Sequence, residues 1–357
     1  MTEIIAFYLP QFHYIEENNR WWGEYFTEWT NVKKAKPLYK KHLQPRQPID
    51  DNYYLLDDLQ VMERQAKMAN EYGIDAFCFY HYWFNGKKLL QKPIEGMLKN
   101  KDIDIKFCLS WANETWSRRW NGKNNEILIE QKYGNSRDWE KHILYLLDFF
   151  KDSRYLKINN RPVFLIYRIF DIPECERMIS NWENILKENG FDGLYLIEMM
   201  GCDQKRKKYN FSSACLEFEP MYTVYNGLKL MHRMNRYAYH HLKMFRLKFR
   251  DILLYDDIWD SILKRKDENQ RLLGAFPGWD NTPRRGVRGL IIEGSSPEKF
   301  EKYLKEQYKK SIENNKPFLF INAWNEWGEG AFLEPDKKYR YKYLEAVRNV
   351  KLNATKS

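Results

Sequence analysis

Two glutamates stand three residues apart in the stretch NAWNEWGEG, residues 322 to 330, among tryptophans and glycines. Paired carboxylates can break or form a glycosidic bond, because one stays ionised as base or nucleophile while the other is protonated and acts as acid. Glu326 and Glu329 can face one pocket only if the chain bends, and Gly328 and Gly330 give the backbone that freedom. The flanking tryptophans would exclude water and raise the pKa of one carboxyl group.

The place of this motif in the chain favours the catalytic interpretation over a polar loop with two solvated acids. The motif follows the last of eight short apolar runs. Near-continuous hydrophobicity is typical of strands that helices cover on both faces. The predicted strands are residues 4–9, 74–80, 105–111, 162–167, 193–198, 213–218, 271–276 and 317–323.

Segments with helical character separate the apolar runs. Residues 56–73 begin with acids and end at a glycine, and residues 297–315 have proline near their start and lysines near their end. Strand followed by helix, eight times, predicts an α/β protein with a (β/α)8 TIM barrel. We expect one barrel domain over residues 1–350. A doubly wound open sheet is the alternative, although no glycine-rich phosphate loop follows the first strand.

The side chains at the strand ends carry the functional prediction, because the loops after the strands build the active site of such a barrel. Aromatic, amide and carboxylate side chains gather there. Tryptophans stack on the apolar faces of sugars, whose hydroxyls need amides and acids. The residues predicted to bind substrate are Tyr8, Gln11, His13, His81, Trp83, Asn113, Glu114, Trp116, Trp279, Asp280, Arg284, Asn325 and Trp327.

Two of these residues have competing interpretations. Glu114 follows an asparagine at a strand end, as the acid/base glutamate does in many glycosidase barrels, so Glu114 with Glu326 competes with the motif pair. The structural alternative for Glu114 is to anchor Arg118 or Arg119. Arg284, in the stretch NTPRRG, can hold a phosphate or a carboxylate, and a surface ion pair is its alternative role.

Most of the net charge of +10 lies in one segment. Between Pro220 and Arg250 there are seven Lys or Arg and no Asp or Glu. Apolar residues recur there at three- and four-residue steps, which predicts an amphipathic helix over 228–252, within an insertion at about 225–268 between strands six and seven. The helix can dock on the barrel, or contact an anionic membrane or a lipid-linked substrate. No nucleic-acid module is recognisable, so nucleic acid is not an expected partner.

The remaining composition argues against export and metal binding. The five cysteines show no CxxC or finger spacing, which indicates reduced thiols of a cytoplasmic protein. A strand-like run begins by Ile4, so we expect no signal peptide, and no apolar stretch approaches the roughly 20 residues that span a bilayer. The seven histidines form no HExxH or HxH pattern, and the one Asp-x-Asp, residues 102–104, precedes a strand. We therefore expect no metal or other cofactor.

Six blocks of the sequence together resemble the WbsX-like family, usually labelled as glycosyltransferases of O-antigen and capsule gene clusters. They are AFYLPQFH, WWGEYFTEWTNV, YGIDAFCFYHYWFNG, FCLSWANETWSRRWNG, PGWDNTPRRG and FINAWNEWGEGAFLEPD. The blocks span nearly the whole chain, and the likeness is weak between residues 200 and 270. The family is similar to glycoside hydrolase family 99, whose members are (β/α)8 endo-α-mannosidases and mannanases.

This resemblance implies a role for each glutamate of the motif. The first glutamate of the hydrolase motif matches Glu326, which would deprotonate the sugar 2-hydroxyl and give an anhydro-sugar intermediate with retention. The second matches Glu329, which would act as general acid and then as base. Gly328 replaces the histidine usual in the hydrolases. The implied function is metal-independent chemistry on α-linked cell-surface polysaccharide or its lipid-linked precursor. The alternatives are a glycosyltransferase that uses the same site and a non-catalytic glycan-binding barrel.

Overall fold

A computed structural model describes residues 2–120, 124–201, 209–228 and 250–354. Eight parallel strands form a closed barrel, because the last strand pairs with the first as well as with the seventh. The strands are β1 (Glu3–Tyr8), β2 (Ala76–Phe84), β3 (Lys106–Trp111), β4 (Arg161–Ile166), β5 (Tyr195–Met200), β6 (Ala214–Glu217), β7 (Arg271–Ala275) and β8 (Phe318–Ile321). The predicted barrel and its eight strands are confirmed, and closure of the sheet rules out the doubly wound alternative.

Helices cover the outside of the barrel, and short helices also lie in the connections at the strand ends. They are α1 (Glu16–Trp22), α2 (Glu28–Lys34), α3 (Leu59–Glu71), α4 (Lys92–Lys99), α5 (Ser136–Phe150), α6 (Cys175–Glu188), α7 (Tyr255–Leu263), α8 (Thr282–Arg285), α9 (Pro297–Glu313) and α10 (Lys342–Ala354). The two helices read from the sequence are α3 and α9. The side chain of Asp58 caps α3 and that of Ser296 caps α9 by accepting backbone N–H groups, which satisfies donors that lack a partner within the helix.

Aromatic rings fill the interior of the barrel. The ring of Phe7 on β1 lies 5.1 Å from that of Phe218 and 5.6 Å from that of Phe320, which come from the opposite side and from a neighbouring strand. The next residue, Tyr8, points the other way, and its hydroxyl donates to Gln65 of α3. This alternation, which every strand shows because successive side chains point to opposite faces, decides which residues can reach the site.

The connection between β6 and β7 differs from the sequence prediction in its last part. Asp251–Leu254 is a strand that pairs in parallel with Leu290–Glu293, which in turn pairs with Trp279–Asp280. The helix predicted over 228–252 is therefore wrong at its end, where backbone pairing with a neighbouring strand takes the place of helical hydrogen bonds. Most of that predicted helix, residues 229–249, lies outside the described residues.

Arg250 is the member of the basic segment that falls in the described part of the chain. Its guanidinium lies 5.0 Å from the ring of Tyr39 and donates to the carbonyl of Leu38, so it packs against the connection that follows β1. In the described ranges, no helix combines the length and the apolar character that crossing a bilayer requires.

Candidate active site

The motif with two glutamates begins just after β8, and its backbone bends as the sequence predicts. Asn325–Glu326 pairs antiparallel with Ala331–Phe332, and Trp327–Glu329 forms a single 3₁₀ turn between them. Gly330 closes the turn with φ of 61°, in the left-handed region that favours glycine. The turn brings Glu326 and Glu329 into reach of the same side chain.

Two predicted substrate-binding residues of the motif instead hold the loop in place. Both polar atoms of the Asn325 side chain bond the backbone of Leu9, with Oδ1 2.7 Å from its N and Nδ2 3.1 Å from its O. The indole of Trp327 stacks on Phe332 at 3.7 Å and donates to Glu334 at 2.6 Å. The loop after β8 is thus fixed to the end of β1, and Glu326 lies between two anchored neighbours.

One guanidinium contacts both glutamates of the pair. Arg284, on the short helix α8, places Nη2 2.7 Å from Oε2 of Glu326 and Nη1 2.7 Å from Oε1 of Glu329. Its Nε donates to Oε1 of Glu28 at 2.8 Å. The sequence left a phosphate, a carboxylate or a surface ion pair open for Arg284, and in the structure it contacts three carboxylates of the protein itself. Charge-assisted bonds of this kind are strong and directional.

The two glutamates differ in their exposure. The side chain of Glu326 is 6% exposed, whereas that of Glu329 is 23% exposed. Burial raises the pKa of Glu326 to about 8, and the charges of Glu329 and Glu28 add to the increase while Arg284 opposes it. A carboxyl group whose pKa lies near the working pH can both take up and release a proton, as acid and base catalysis requires.

Two tyrosines of β2 face the acid pair, and the sequence analysis did not single them out. The ring of Tyr80 lies 5.5 Å from that of Phe7 in the barrel interior. Burial and then the charges of Glu326 and Glu329 raise the pKa of the Tyr80 phenol, and burial and Glu326 do the same for Tyr82. Both phenols therefore stay protonated and can donate hydrogen bonds to a carboxylate or a sugar oxygen.

Three predicted substrate-binding residues lie in the helix layer, on the other side of the barrel wall. His81 Nε2 is 2.8 Å from His142 Nε2 of α5, and Trp83 stacks on the same imidazole at 4.5 Å. Burial lowers the pKa of His81 to about 3, so this imidazole is neutral. Tyr8 points outward to Gln65, as described above. Strand alternation places His81 and Trp83 on one face of β2 and the two tyrosines on the other, but it does not show which face is the interior.

Glu114, the competing acid, pairs with a different arginine from those expected. Its carboxylate lies 3.5 Å from Nη1 of Arg168, whereas Arg118 pairs with Glu126 at 3.4 Å. The Glu114 side chain is 46% exposed, and desolvation, with a contribution from the charge of Glu329, raises its pKa. Glu114 thus stands at the rim of the same site, outside the set of carboxylates that Arg284 holds.

Asp280 and Trp279 are buried beneath the motif loop. The carboxylate of Asp280 lies 2.8 Å from His42 Nε2 and accepts hydrogen bonds from Gln44 and Thr282, each at 2.6 Å. These bonds lower the pKa of Asp280 against the effect of burial. The indole N–H of Trp279 has no hydrogen-bond partner within the described part of the chain. Asp280 therefore braces the loop that carries Arg284, and Trp279 packs beside it.

The other predicted residues divide between support and lining. The side chain of Asn113 donates to the carbonyl of Arg168 and accepts the N–H of the same residue, which joins the segments after β3 and β4. The carbonyl of Gln11 accepts the N–H of the first residue of α2, and His13 is buried with Nδ1 2.8 Å from the carbonyl of Pro10. Trp116 packs edge-on to the ring of Tyr82 at 5.2 Å, so it lines the site.

The site therefore offers two carboxylates of unequal exposure, a shared guanidinium and two protonated phenols. Among the described residues, no group of three or more His, Cys, Asp or Glu is arranged to hold a metal ion. The residues that do meet can move a proton in each direction and bond sugar hydroxyls.

Comparison with known sequences identifies the family. The family described as Glycosyltransferase WbsX matches residues 4–347. Two curated relatives, each called Uncharacterized protein WxcX and found in two strains of Xanthomonas campestris pv. campestris, are 36% identical over 355 and 349 residues. These matches cover 97% of this chain and 49% of each relative, so the chain spans about half the length of the curated relatives it matches.

Comparison with solved structures agrees with the barrel. The GH99 endo-alpha-mannosidase from Bacteroides thetaiotaomicron superposes with a TM-score of 0.57 at 15% identity, over 99% of this chain and 98% of that one. A glycoside hydrolase-like protein gives the same TM-score at 13% identity, over 98% of this chain and 93% of that one. At such identities the likeness shows a shared fold. The sequence match over nearly the whole chain shows more, and this chain belongs to the WbsX glycosyltransferase family.

Proposed function

We propose that this chain is a carbohydrate-active enzyme that uses Glu326 and Glu329 as acid and base on α-glycosidic bonds. The observation that carries the proposal is the contact of both carboxylates with one guanidinium, that of Arg284, at the end of β8. Barrels of this type build their active sites at that face. The proposed substrate is cell-surface polysaccharide of the O-antigen or capsule kind, or its lipid-linked precursor.

The family resemblance gives the two acids distinct roles in this proposal. Glu326 takes the proton of the sugar 2-hydroxyl in its ionised form, in which its raised pKa makes it a stronger base than an ordinary carboxylate. The 2-oxygen then bonds to the anomeric carbon as the glycosidic bond breaks, and Glu329 gives its proton to the leaving oxygen. In the second half Glu329 removes a proton from the incoming hydroxyl, which opens the anhydro-sugar, and Glu326 returns its proton to the 2-oxygen. The two displacements together retain the anomeric configuration.

Hydrolysis and transfer differ in this scheme only in what attacks the intermediate. Water gives a glycosidase, and a sugar hydroxyl gives a glycosyltransferase, which the description of the family favours. Both outcomes need the same acid and base. A glycan-binding barrel without catalysis is the alternative from another class, and it would bind polysaccharide without changing any bond.

The test is turnover of polysaccharide isolated from the surface of the organism that carries the gene, with and without nucleotide sugars. Products are followed by NMR spectroscopy, which also reports the anomeric configuration. We expect Glu326→Gln and Glu329→Gln each to lose about 10²- to 10⁴-fold in rate, as loss of a general acid or base does. The matched variant is Glu114→Gln. If it were inactive while both motif variants kept near-wild-type rates, the acid pair would be misassigned.

We also propose that the basic segment brings the enzyme to an anionic membrane at the cytoplasmic face, where lipid-linked glycans are found. Seven cations without one acid between Pro220 and Arg250 are the observation behind it. Each cation near such a surface contributes about 1 kcal/mol, and salt weakens the attraction. Co-sedimentation with anionic and neutral vesicles tests this proposal. Equal recovery with both, or recovery unchanged when Lys243, Arg246 and Lys248 become Glu, would contradict it.

A further inference from the structure

A third carboxylate lies against the acid pair and has no role in the scheme above. Glu28, the first residue of α2, is 2% exposed, and its Oε1 accepts a hydrogen bond from Nε of Arg284 at 2.8 Å. The other two nitrogens of the same guanidinium contact Glu326 and Glu329. A guanidinium is planar and rigid, so three bonds at its three nitrogens fix both its position and its orientation.

The motif loop is shaped to receive this carboxylate. A Cβ atom placed on Gly328 would lie 1.7 Å from Oε1 of Glu28 and 2.9 Å from Nε of Arg284. Every residue other than glycine at this position would therefore collide with the bond between them. The absence of a side chain at residue 328 lets α2 supply a carboxylate at this point of the motif.

Glu28 is itself held from a separate part of the barrel. Its backbone N–H donates to the carbonyl of Gln11 at 3.0 Å, in the connection that follows β1. The backbone N–H of Thr27, the N-cap of α2, donates to Oγ1 of Thr30 at 3.3 Å, which fixes the start of the helix. The position of the carboxylate is thus determined by the β1 end of the barrel, whereas Arg284 comes from the segment after β7.

The charges around Glu326 explain why a third acid matters. The groups that face it are Arg284 from α8, Glu329 from the motif, Glu28 from α2, and Tyr80 and Tyr82 from β2, with Glu114 at the rim beyond Tyr82. One cation among three carboxylates leaves the cluster negative when all are ionised. Removing the charge of Glu28 therefore makes Glu326 easier to ionise.

We propose that Glu28 is a positioning residue of the active site, which holds the guanidinium of Arg284 against the acid pair. Its negative charge beside Glu326 also opposes ionisation of that carboxyl group. The inference rests on the proposed function in one respect, namely that Glu326 and Glu329 are the reacting acids. Because Gly328 leaves the space that Glu28 fills, the two residues act as one structural feature.

The first test measures the protonation of Glu326 without turnover. ¹³C NMR of protein with labelled glutamate carboxyl groups follows the titration, with Glu326→Gln used to assign the signal. In Glu28→Gln, we expect the Glu326 midpoint to move to lower pH, because a neighbouring negative charge is gone. The control is Asp267→Asn, which removes the half-buried partner of the buried Lys316, 3.0 Å away at the opposite end of the barrel. An unchanged midpoint in Glu28→Gln, or the same movement in the control, would overturn the proposal.

The second test asks whether Glu28 and residue 328 compete for one space. Gly328→Ala should lower Tm in the wild-type background, and the loss should be smaller in Glu28→Ala, because the colliding carboxylate is absent. Equal losses in the two backgrounds would show that Glu28 does not occupy that space. Wherever a polysaccharide is turned over, Glu28→Ala should also lower kcat/KM about 10- to 100-fold through misplacement of Arg284. Absence of turnover in the wild type would refute the proposed function alone, since the titration and Tm tests need no substrate.

Discussion

Replacing Glu326 by glutamine should stabilise the folded protein above neutral pH while it removes catalysis. The wild-type carboxyl group is buried, and its pKa lies at about 8 instead of the 4.5 of an ordinary glutamate. Between these two values the folded state keeps a proton that the unfolded state releases. The contribution of Glu326 is therefore fully present below pH 4.5 and is lost as the pH rises through 8. Glutamine has nearly the same shape, accepts a bond from Arg284 and cannot ionise.

The size of the effect follows from the gap between the two pKa values. At about 1.4 kcal/mol for each unit of pKa, the ionised wild-type group would cost up to about 5 kcal/mol at pH 9 relative to its protonated form. Proton sharing with Glu329 and relaxation of the site reduce this, so we expect ~2–4 kcal/mol of added stability in Glu326→Gln at pH 9. At pH 4.5 the two proteins should be nearly equal.

Urea unfolding followed by circular dichroism, at intervals from pH 5 to pH 9, measures the difference. Glu313→Gln is the matched control, because it makes the same chemical change at an exposed position of α9. The free energy of unfolding of Glu326→Gln should diverge upward from that of wild type as the pH rises, whereas the control should run parallel to wild type. Parallel curves for Glu326→Gln and wild type would refute the reasoning, since the folded and unfolded states would then ionise this group alike.

Three further outcomes are expected. Tyr80→Phe and Tyr82→Phe should each lower kcat/KM about 10-fold, the equivalent of one lost hydrogen bond. The control is Tyr8→Phe, which should lower Tm and leave kcat/KM intact, because its hydroxyl bonds Gln65 behind the barrel wall. Equal kinetic losses in all three variants would show that the two β2 tyrosines do not contribute to the site. EDTA should leave turnover unchanged, because the sequence shows no histidine or carboxylate spacing suited to zinc or to a nucleotide-bound metal; strict dependence on added Mn²⁺ or Mg²⁺ would contradict this. Asn325→Ala should lower the free energy of unfolding in urea by about 2 to 4 kcal/mol, because it leaves the N–H and the carbonyl of Leu9 without their partners. A loss below about 1 kcal/mol would mean that water replaces the amide.

The barrel could be predicted from the sequence because its strands are buried on both faces. Each then appears as a continuous apolar run, and eight such runs in alternation with helices leave few other folds. The acid pair could be placed as well, because the motif directly follows the apolar run of β8. Its bend was predicted from Gly328 and Gly330, and the turn uses the left-handed conformation at Gly330 alone.

The face on which each strand residue lies could not be predicted from the same runs. A strand with one solvated face alternates polar and apolar residues, but β2 is buried throughout, so composition does not distinguish its two sides. The prediction assigned His81 and Trp83 to the site, but these side chains face the helix layer. Their neighbours Tyr80 and Tyr82, one position away on the strand, face the barrel interior. Because both faces of β2 carry aromatic residues, only the packing of one face against α5 shows which side is the interior.

Glu28 could not be predicted because no local pattern connects it with the motif. It lies 256 residues before Arg284 in the sequence, at the start of a helix within the connection after β1. Its local sequence shows only an acidic residue in the first turn of a helix, where acidic residues are common. Only the closed barrel brings it over Gly328.

Closure of the barrel between β8 and β1 also has a consequence for how the protein is made. β8 pairs with β1, and Asn325 after β8 bonds the backbone of a residue 316 positions earlier, so the contacts that close the barrel join the two ends of a very long loop. The entropy of closing a loop grows slowly with its length, but folding slows as contacts become more distant in sequence. While the chain is being synthesised, the edge of β1 that pairs with β8 has no partner until β8 has left the ribosome. We therefore expect nascent chains to depend on chaperones at this stage, and the acid cluster to form last.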